Sequence, residues 1–242
     1  MTAERTWAGA FPLTDVTGAL PGWPVQVAAV LLEGMAPADT GQWARQVQDQ
    51  LARMAARHRQ VPFTVVHHWH SGDVGPLLAE AAGHHGEDPA AQHAVTALHD
   101  RALAGEAVPE EVWRATLEPA LRQVYRWAYA YQDAYTTASD AARAFALSRG
   151  YDEAEATAYG ESYAQLNTEA NARVHAEANA SANAAAAAAA FAGADPAGYA
   201  ACVPYAHVRA CLRAYAGGDG RRHRDGCVRL AGGLVRGLTR VA

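Results

Sequence analysis

Apolar and polar positions alternate with a helical period along most of this chain. Trp43, Val47, Leu51, Met54 and His58 recur at steps of three and four, the stripe of an amphipathic helix. Asp39 reads as its N-cap, with Gln42 as the capping-box partner. The apolar run from Trp23 to Met35 predicts a short helix before it, and the proline- and glycine-bearing residues 1–22 an irregular arm. The run VPFTVVHHWHSGDVGP is rich in β-branched residues. It fits a short strand near Phe63–His67 or a short buried helix, and periodicity does not choose between them. A short helix is expected from Leu77 to Ala82, ended by Gly83. Asp88-Pro89 opens another, running to about Leu103.

The second half predicts longer elements. Pro109, Glu110 and Glu111 open a helix that reaches Ser148, with a kink expected at Pro119. Its expected buried stripe is Trp113, Leu117, Leu121, Val124, Tyr131, Tyr135, Ala138, Ala142 and Phe145. Asp152 and Glu155 form a capping box for a helix that runs to about Ala192. Asp195-Pro196 opens the next, bent by Pro204 and ended by Gly217-Gly218. The last has Cys227, Ala231, Leu234 and Leu238 as its apolar edge. These patterns predict an all-α protein. A bundle of long antiparallel helices over residues 108–242 is joined by a smaller, mostly helical region over 1–107.

One stretch stands apart. Tyr159, Tyr163, Asn167, Asn171, His175, Asn179 and Asn183 follow at intervals of four, with mostly alanine between them. Residues four apart stack on one side of a helix, so the row is a single polar track. The track drifts by about 40° per step, because a turn takes 3.6 residues. The chain has no lysine and no isoleucine, as a GC-rich coding sequence would give, and such coding disfavours asparagine. All four of its asparagines nevertheless lie in this row. Asparagine is a mediocre helix former, so helix propensity does not account for them. The row fits polar filling between packed alanine helices, the wall of a ligand cavity, or a solvated face.

The tyrosines extend that second reading. All ten lie at or after Tyr125, and Tyr125, Tyr129 and Asp133 share one helical side. Facing the polar row, they would make a pocket lined by phenols, amides and His175. Such a mixed lining suits an oriented small molecule. The candidate catalytic residues are His175 as acid–base, with Tyr129 donating a hydrogen bond and Asp133 beside it. Asn167, Asn171, Tyr125, Tyr163 and Tyr159 are the candidate substrate-binding residues.

Other chemistries find less. Eight of eleven histidines lie between His58 and His99, among them His67, His68, His70, His84, His85 and His93. Their spacings match no closed zinc site, HExxH and the carboxylate-bridged ExxH are absent, and neither metal nor cofactor is expected. His99-Asp100 resembles the HD pair of helical metal-dependent phosphohydrolases, with His70 and Asp133 or Asp140 as the residues that would complete it. A continuing helix replaces the glycine turn usual after that pair. The ending GRRHRDGCVRLAGGLVRGLTR carries six arginines, but the chain has net charge −5 and no recognition motif, so nucleic acid is not an expected partner. No long apolar run or basic leader is present, and the three cysteines, Cys202, Cys211 and Cys227, read as reduced. A cytoplasmic protein is expected, with oligomerisation through the long helices left open.

The stretches LHDRALAGE, EVWRATLEPALRQVYRWAYAY and LNTEANAR, within about residues 95–215, resemble an alanine-rich helical family of GC-rich bacteria. That family is associated with natural-product gene clusters and includes proteins named as spectinomycin-cluster components. The resemblance implies a setting near small-molecule biosynthesis or resistance and carries over no catalytic residue. The expected function is therefore small-molecule binding, with cofactor-independent conversion as an extension. A non-catalytic interaction or immunity-type protein is the rival.

Overall fold

A computed structural model describes residues 22–58 and 60–242; the arm expected at 1–22 falls almost entirely outside them. The described residues form an all-α structure with no strand. In chain order the helices are α1 (Trp23–Leu32), α2 (Pro37–Ala55), α3 (Thr64–Trp69), α4 (Gly75–His84), α5 (Ala90–Leu103) and α6 (Glu110–Trp127). They continue as α7 (Tyr131–Ser148), α8 (Glu153–Ala192), α9 (Pro196–Cys202), α10 (Arg209–Ala216) and α11 (Gly220–Val241). Two π-helical turns, His70–Val74 and Val203–Val208, interrupt α3–α4 and α9–α10.

The axis is α8, forty residues and therefore about 60 Å long. Its capping box is present: Glu155 N donates to Asp152, and Asp152 N donates to the Glu155 carboxylate. The buried positions of α8 explain its sequence. They run Ala156, Gly160, Ala164, Thr168, Ala172, Ala176, Ala180, Ala184 and Ala188, again at steps of four. From Gly160 to Ala184 each follows a member of the polar row by one residue, so the buried track lies about 100° around the helix from the polar one. A period longer than 3.6 winds the contact surface right-handedly around the axis. One straight partner cannot follow such a track for long, and two share it. Trp113 of α6 meets Phe191 with ring centroids 4.9 Å apart, and Tyr125 of α6 meets His175 at 6.3 Å. On the N-terminal half, Arg143 of α7 pairs with Glu153 at 2.6 Å. Both partners therefore run antiparallel to α8.

This division corrects the expected single helix over 109–148. The break falls at Ala128–Ala130, with Tyr131 N donating to Tyr129 O, while α6 continues through Pro119 without ending. Trp127 fixes the end of α6 by donating from Nε1 to Glu87 at 2.9 Å and stacking on His85. Beyond the break the expected stripe fails as well. Ala142 is buried, but Tyr131 is at the surface and Phe145 is 51% exposed. Tyr135 and Ala138 are only partly covered.

The first half wraps α11. Within residues 61–70, Thr64–Trp69 are helical and none is strand, which resolves the strand alternative. The indole nitrogens of Trp43 and Trp69 each donate at 2.9 Å to carbonyls of α11, those of Ala231 and Leu230. Gly233 and Gly237 on α11 leave room for this approach: a Cβ there would meet Asp73, or Val65 and Trp69. The cap of α2 is Ala36 with Pro37 in the first turn, not Asp39. Similarly, α4 begins at Gly75 and passes through Gly83, and Pro89 is the residue before α5. One buried apolar cluster runs from Trp23 to Leu238 through residues on both sides of position 107.

Gly160 marks the tightest point of the α7–α8 seam. A Cβ there would sit 2.8 Å from the carbonyl oxygen of Ser139, a backbone atom that cannot swing aside. A better helix former would gain under about 1 kcal/mol locally, less than the cost of overpacking. Gly160→Val is expected to destabilise the fold by about 1–3 kcal/mol, read from urea denaturation. Unchanged stability would mean that the seam opens freely.

Candidate functional site

The break between α6 and α7 determines where the polar row meets the tyrosines. Tyr129, Asp133, Tyr163, Asn167 and Asn171 line one surface groove between α7 and α8, with a volume of about 580 Å³. Asn171 Nδ2 donates to Asn167 Oδ1 at 2.8 Å, and Asn167 Nδ2 donates to the Tyr163 hydroxyl at 3.3 Å. Further along, Asn179 Nδ2 donates to the His175 carbonyl at 2.7 Å and Asn183 Nδ2 to that of Asn179 at 2.9 Å. Each amide thus reaches back one turn, and the row is a ladder along the edge of the packed seam. Thr168, buried in the groove wall, leaves its hydroxyl without a protein partner.

The remaining singled-out residues divide. His175 is exposed but lies against Tyr129, with ring centroids 5.6 Å apart. Tyr125 is buried below it and has no hydrogen-bond partner for its hydroxyl, whose pKa burial raises far above the phenol range. Tyr159 stands away from the groove, 41% exposed, between Tyr151, Tyr163 and Phe145 in a ladder of rings. The expected enclosed pocket is therefore an open groove. The cause is packing: Gly160, Ala164, Thr168 and Ala172 face the partners, and the polar track one residue earlier is left at the rim.

A second constellation is internal. His67 from α3, His70 from the first π-helical turn, His99 from α5 and His207 from the second converge beside Trp113, Phe191 and Tyr199. The Nδ1 atoms of His67 and His99 are 2.9 Å apart, so one ring donates and the other accepts. His70 Nε2 is hydrogen-bonded to the Tyr199 hydroxyl at 2.9 Å, and its ring stacks on His99 at 4.7 Å. His99 Nε2 is buried and has no protein partner. Burial lowers the pKa of His67 and of His207 to about 4, and those of His70 and His99 well below the usual value. At neutral pH the cluster is uncharged.

His70, His99 and His207 border a largely enclosed cavity of about 30 Å³. His70, His99, His207, Asn183, Gln92 and Thr96 supply its polar wall, and aliphatic side chains supply most of the rest. Sequence spacing missed this grouping. His67 and His70 share a face at i, i+3, and the likeness to an HD pair sets His70 with His99, but nothing in the spacing brings His207 to them. Among the described residues no three His, Cys, Asp or Glu side chains are arranged to hold a metal ion. His99 and Asp100 also diverge, the histidine facing the cavity while the exposed aspartate accepts from Ser71. Of the residues offered for an HD-type site, His70 and His99 do meet in the cavity, but Asp133 lies in the surface groove and Asp140 is exposed on α7, so no carboxylate joins them.

Comparison with known proteins adds no relative: no family model, curated protein or solved structure matches the chain. Among the described residues no helix is long and apolar enough to cross a membrane.

The buried cluster dictates a pH response. The unfolded chain binds protons at its histidines near pH 6.5, whereas folded His67 resists protonation until about pH 4. Stability from this group is complete above pH 6.5 and is lost as pH falls toward 4, amounting to roughly 3 kcal/mol over that window. Melting temperatures are expected to fall between pH 6.5 and 5, with a shallower fall in His67→Gln. Equal slopes in the two proteins would remove His67 as the cause.

Proposed function

We propose that this chain is a helical small-molecule-binding protein whose ligand lies in the groove between α7 and the middle of α8. The observation that carries the reading is convergence. Residues singled out from their spacing alone, Tyr129, Asp133, Tyr163, Asn167 and Asn171, line a single groove. Its volume of about 580 Å³ lies within the range of small-molecule sites. Its chemistry is that of an orienting surface. Phenols and amides both donate and accept, and Asp133 gives one end an acceptor for a ligand amine or hydroxyl. The resemblance to proteins of natural-product clusters supports a biosynthetic or resistance setting in the cytoplasm. If the ligand is also converted, His175 beside Tyr129 is the acid–base and Asn167 and Asn171 orient the substrate, with no cofactor required.

A non-catalytic interaction role is the second reading, and a separate observation favours it. Tyr159, Tyr163, Leu166 and Val174 leave 41%, 45%, 69% and 59% of their surface exposed along one side of α8. Phe145 and Tyr151 are exposed beside Tyr159. Contiguous apolar surface of this kind fits a docked helix.

Thermal melting with a metabolite screen separates the two. A ligand that binds only the folded state raises the melting temperature by mass action. Asn171 is exposed, so Asn171→Ala is expected to change stability by less than about 0.5 kcal/mol while abolishing the ligand-dependent rise. Tyr129→Phe should weaken that rise. A loss of 1–3 kcal/mol in Asn171→Ala, with no ligand found for the parent protein, would show that the amide ladder serves packing alone.

A further inference from the structure

We infer a second, internal binding site, independent of the α7–α8 groove: the histidine cavity takes a compact uncharged molecule bearing one hydrogen-bonding group, such as a short-chain alcohol, aldehyde or amide. Four observations lead there.

The first is an unmet bond. His99 is 1% exposed and lines the cavity, its Nδ1 is committed to His67, and its Nε2 has no protein partner. A buried polar atom without a partner is costly, and an occupant that meets it is favoured accordingly. The second is size. Space of about 30 Å³ for water centres holds two or three waters at about 10–15 Å³ each, or a molecule of roughly two to four non-hydrogen atoms. The third is charge. No carboxylate or guanidinium lines the cavity, so an ionic guest would lose its hydration without gaining a counter-charge. Val74, Leu78, Val95 and Leu121 are part of its wall and suit a short alkyl part, while Gln92 and Thr96, also in the wall, are hydrogen-bonded within the protein.

The fourth is architecture. Both π-helical turns border this one cavity, His70 and Val74 from the first and Val203 and His207 from the second. A π-helical turn disturbs the regular hydrogen bonding of its helix and is frequent at functional sites. A route inward is also marked. A surface cleft of about 490 Å³ is lined by Gln60, Thr64, His67, Glu106 and Phe191. Phe191 lines the cavity too, and His67 on the cleft side is bonded to His99 on the cavity side. The His67–His99 pair and the Phe191 ring are the partition through which a small guest passes.

The test is NMR of the full chain labelled with ¹⁵N-histidine, titrated separately with ethanol, acetaldehyde and formamide, and with acetate and ethylammonium as charged counterparts. At least one neutral probe is expected to shift the His99 Nε2 resonance saturably with Kd in about the millimolar range, as befits so few atoms. The charged probes should leave it unmoved. Ala187→Leu narrows the cavity from its wall and should abolish the response; Val95→Leu serves if that variant does not fold. Asn171→Ala, in the groove, should leave it intact, so failure of the groove reading and failure of this one are told apart. The proposal is overturned if no neutral probe moves His99 in the folded protein, since the cavity then holds water alone. It is also overturned if only zinc or copper ions move the resonance, or if the response survives narrowing of the cavity.

Discussion

The rest of the structure depends on the close seam that α8 makes with two helices in succession. Small residues every four positions let backbones approach as closely as at Gly160, where a single methyl group would meet a carbonyl 2.8 Å away. The same spacing turns the seam around the helix. Because the track winds and helices are stiff, the partner has to be two segments, and the chain between them has to break. That break brings Tyr129 and Asp133 to Asn167 and Asn171. The groove is thus a geometric consequence of an alanine track whose period exceeds the helical turn.

The two polar constellations follow opposite physical rules. The amide ladder lies mostly at the rim, where water satisfies whatever a side chain leaves unmet. The imidazoles lie in the interior, where each nitrogen needs a partner and a proton is excluded by burial. The first arrangement suits exchange with solvent and recognition of a soluble ligand. The second holds groups neutral that are normally half-titrated near physiological pH, and it leaves one nitrogen, His99 Nε2, directed to neither protein nor bulk water. Asn183 belongs to both, as the last member of the ladder and part of the cavity wall.

Local chemistry was legible wherever one helix contained its own instructions. The Asp152–Glu155 box, the Asp195 cap, the stop at Gly217 and the stripe of α2 are interactions among near neighbours, and sequence spacing is enough to read them. The polar row belongs here too. A four-residue repeat determines that these side chains share a track whatever packs against it.

The tertiary structure alone decided the rest. Alanine occupies both the buried and the exposed positions of α8, so the pattern does not say which side is covered. Phe145 looked like core because aromatic residues usually are, yet among the described residues α7 packs chiefly on α8 and its other side, Phe145 included, is left exposed. One helix was expected over 109–148, but a break came where Trp127 is tied to Glu87, forty residues away in sequence. His99 and His207 meet His67 and His70 through the π-helical turns and the stacking of separate helices. Helical periodicity determines the faces of each element. Which faces meet depends on long-range packing energies distributed over the whole chain, and no local spacing contains them.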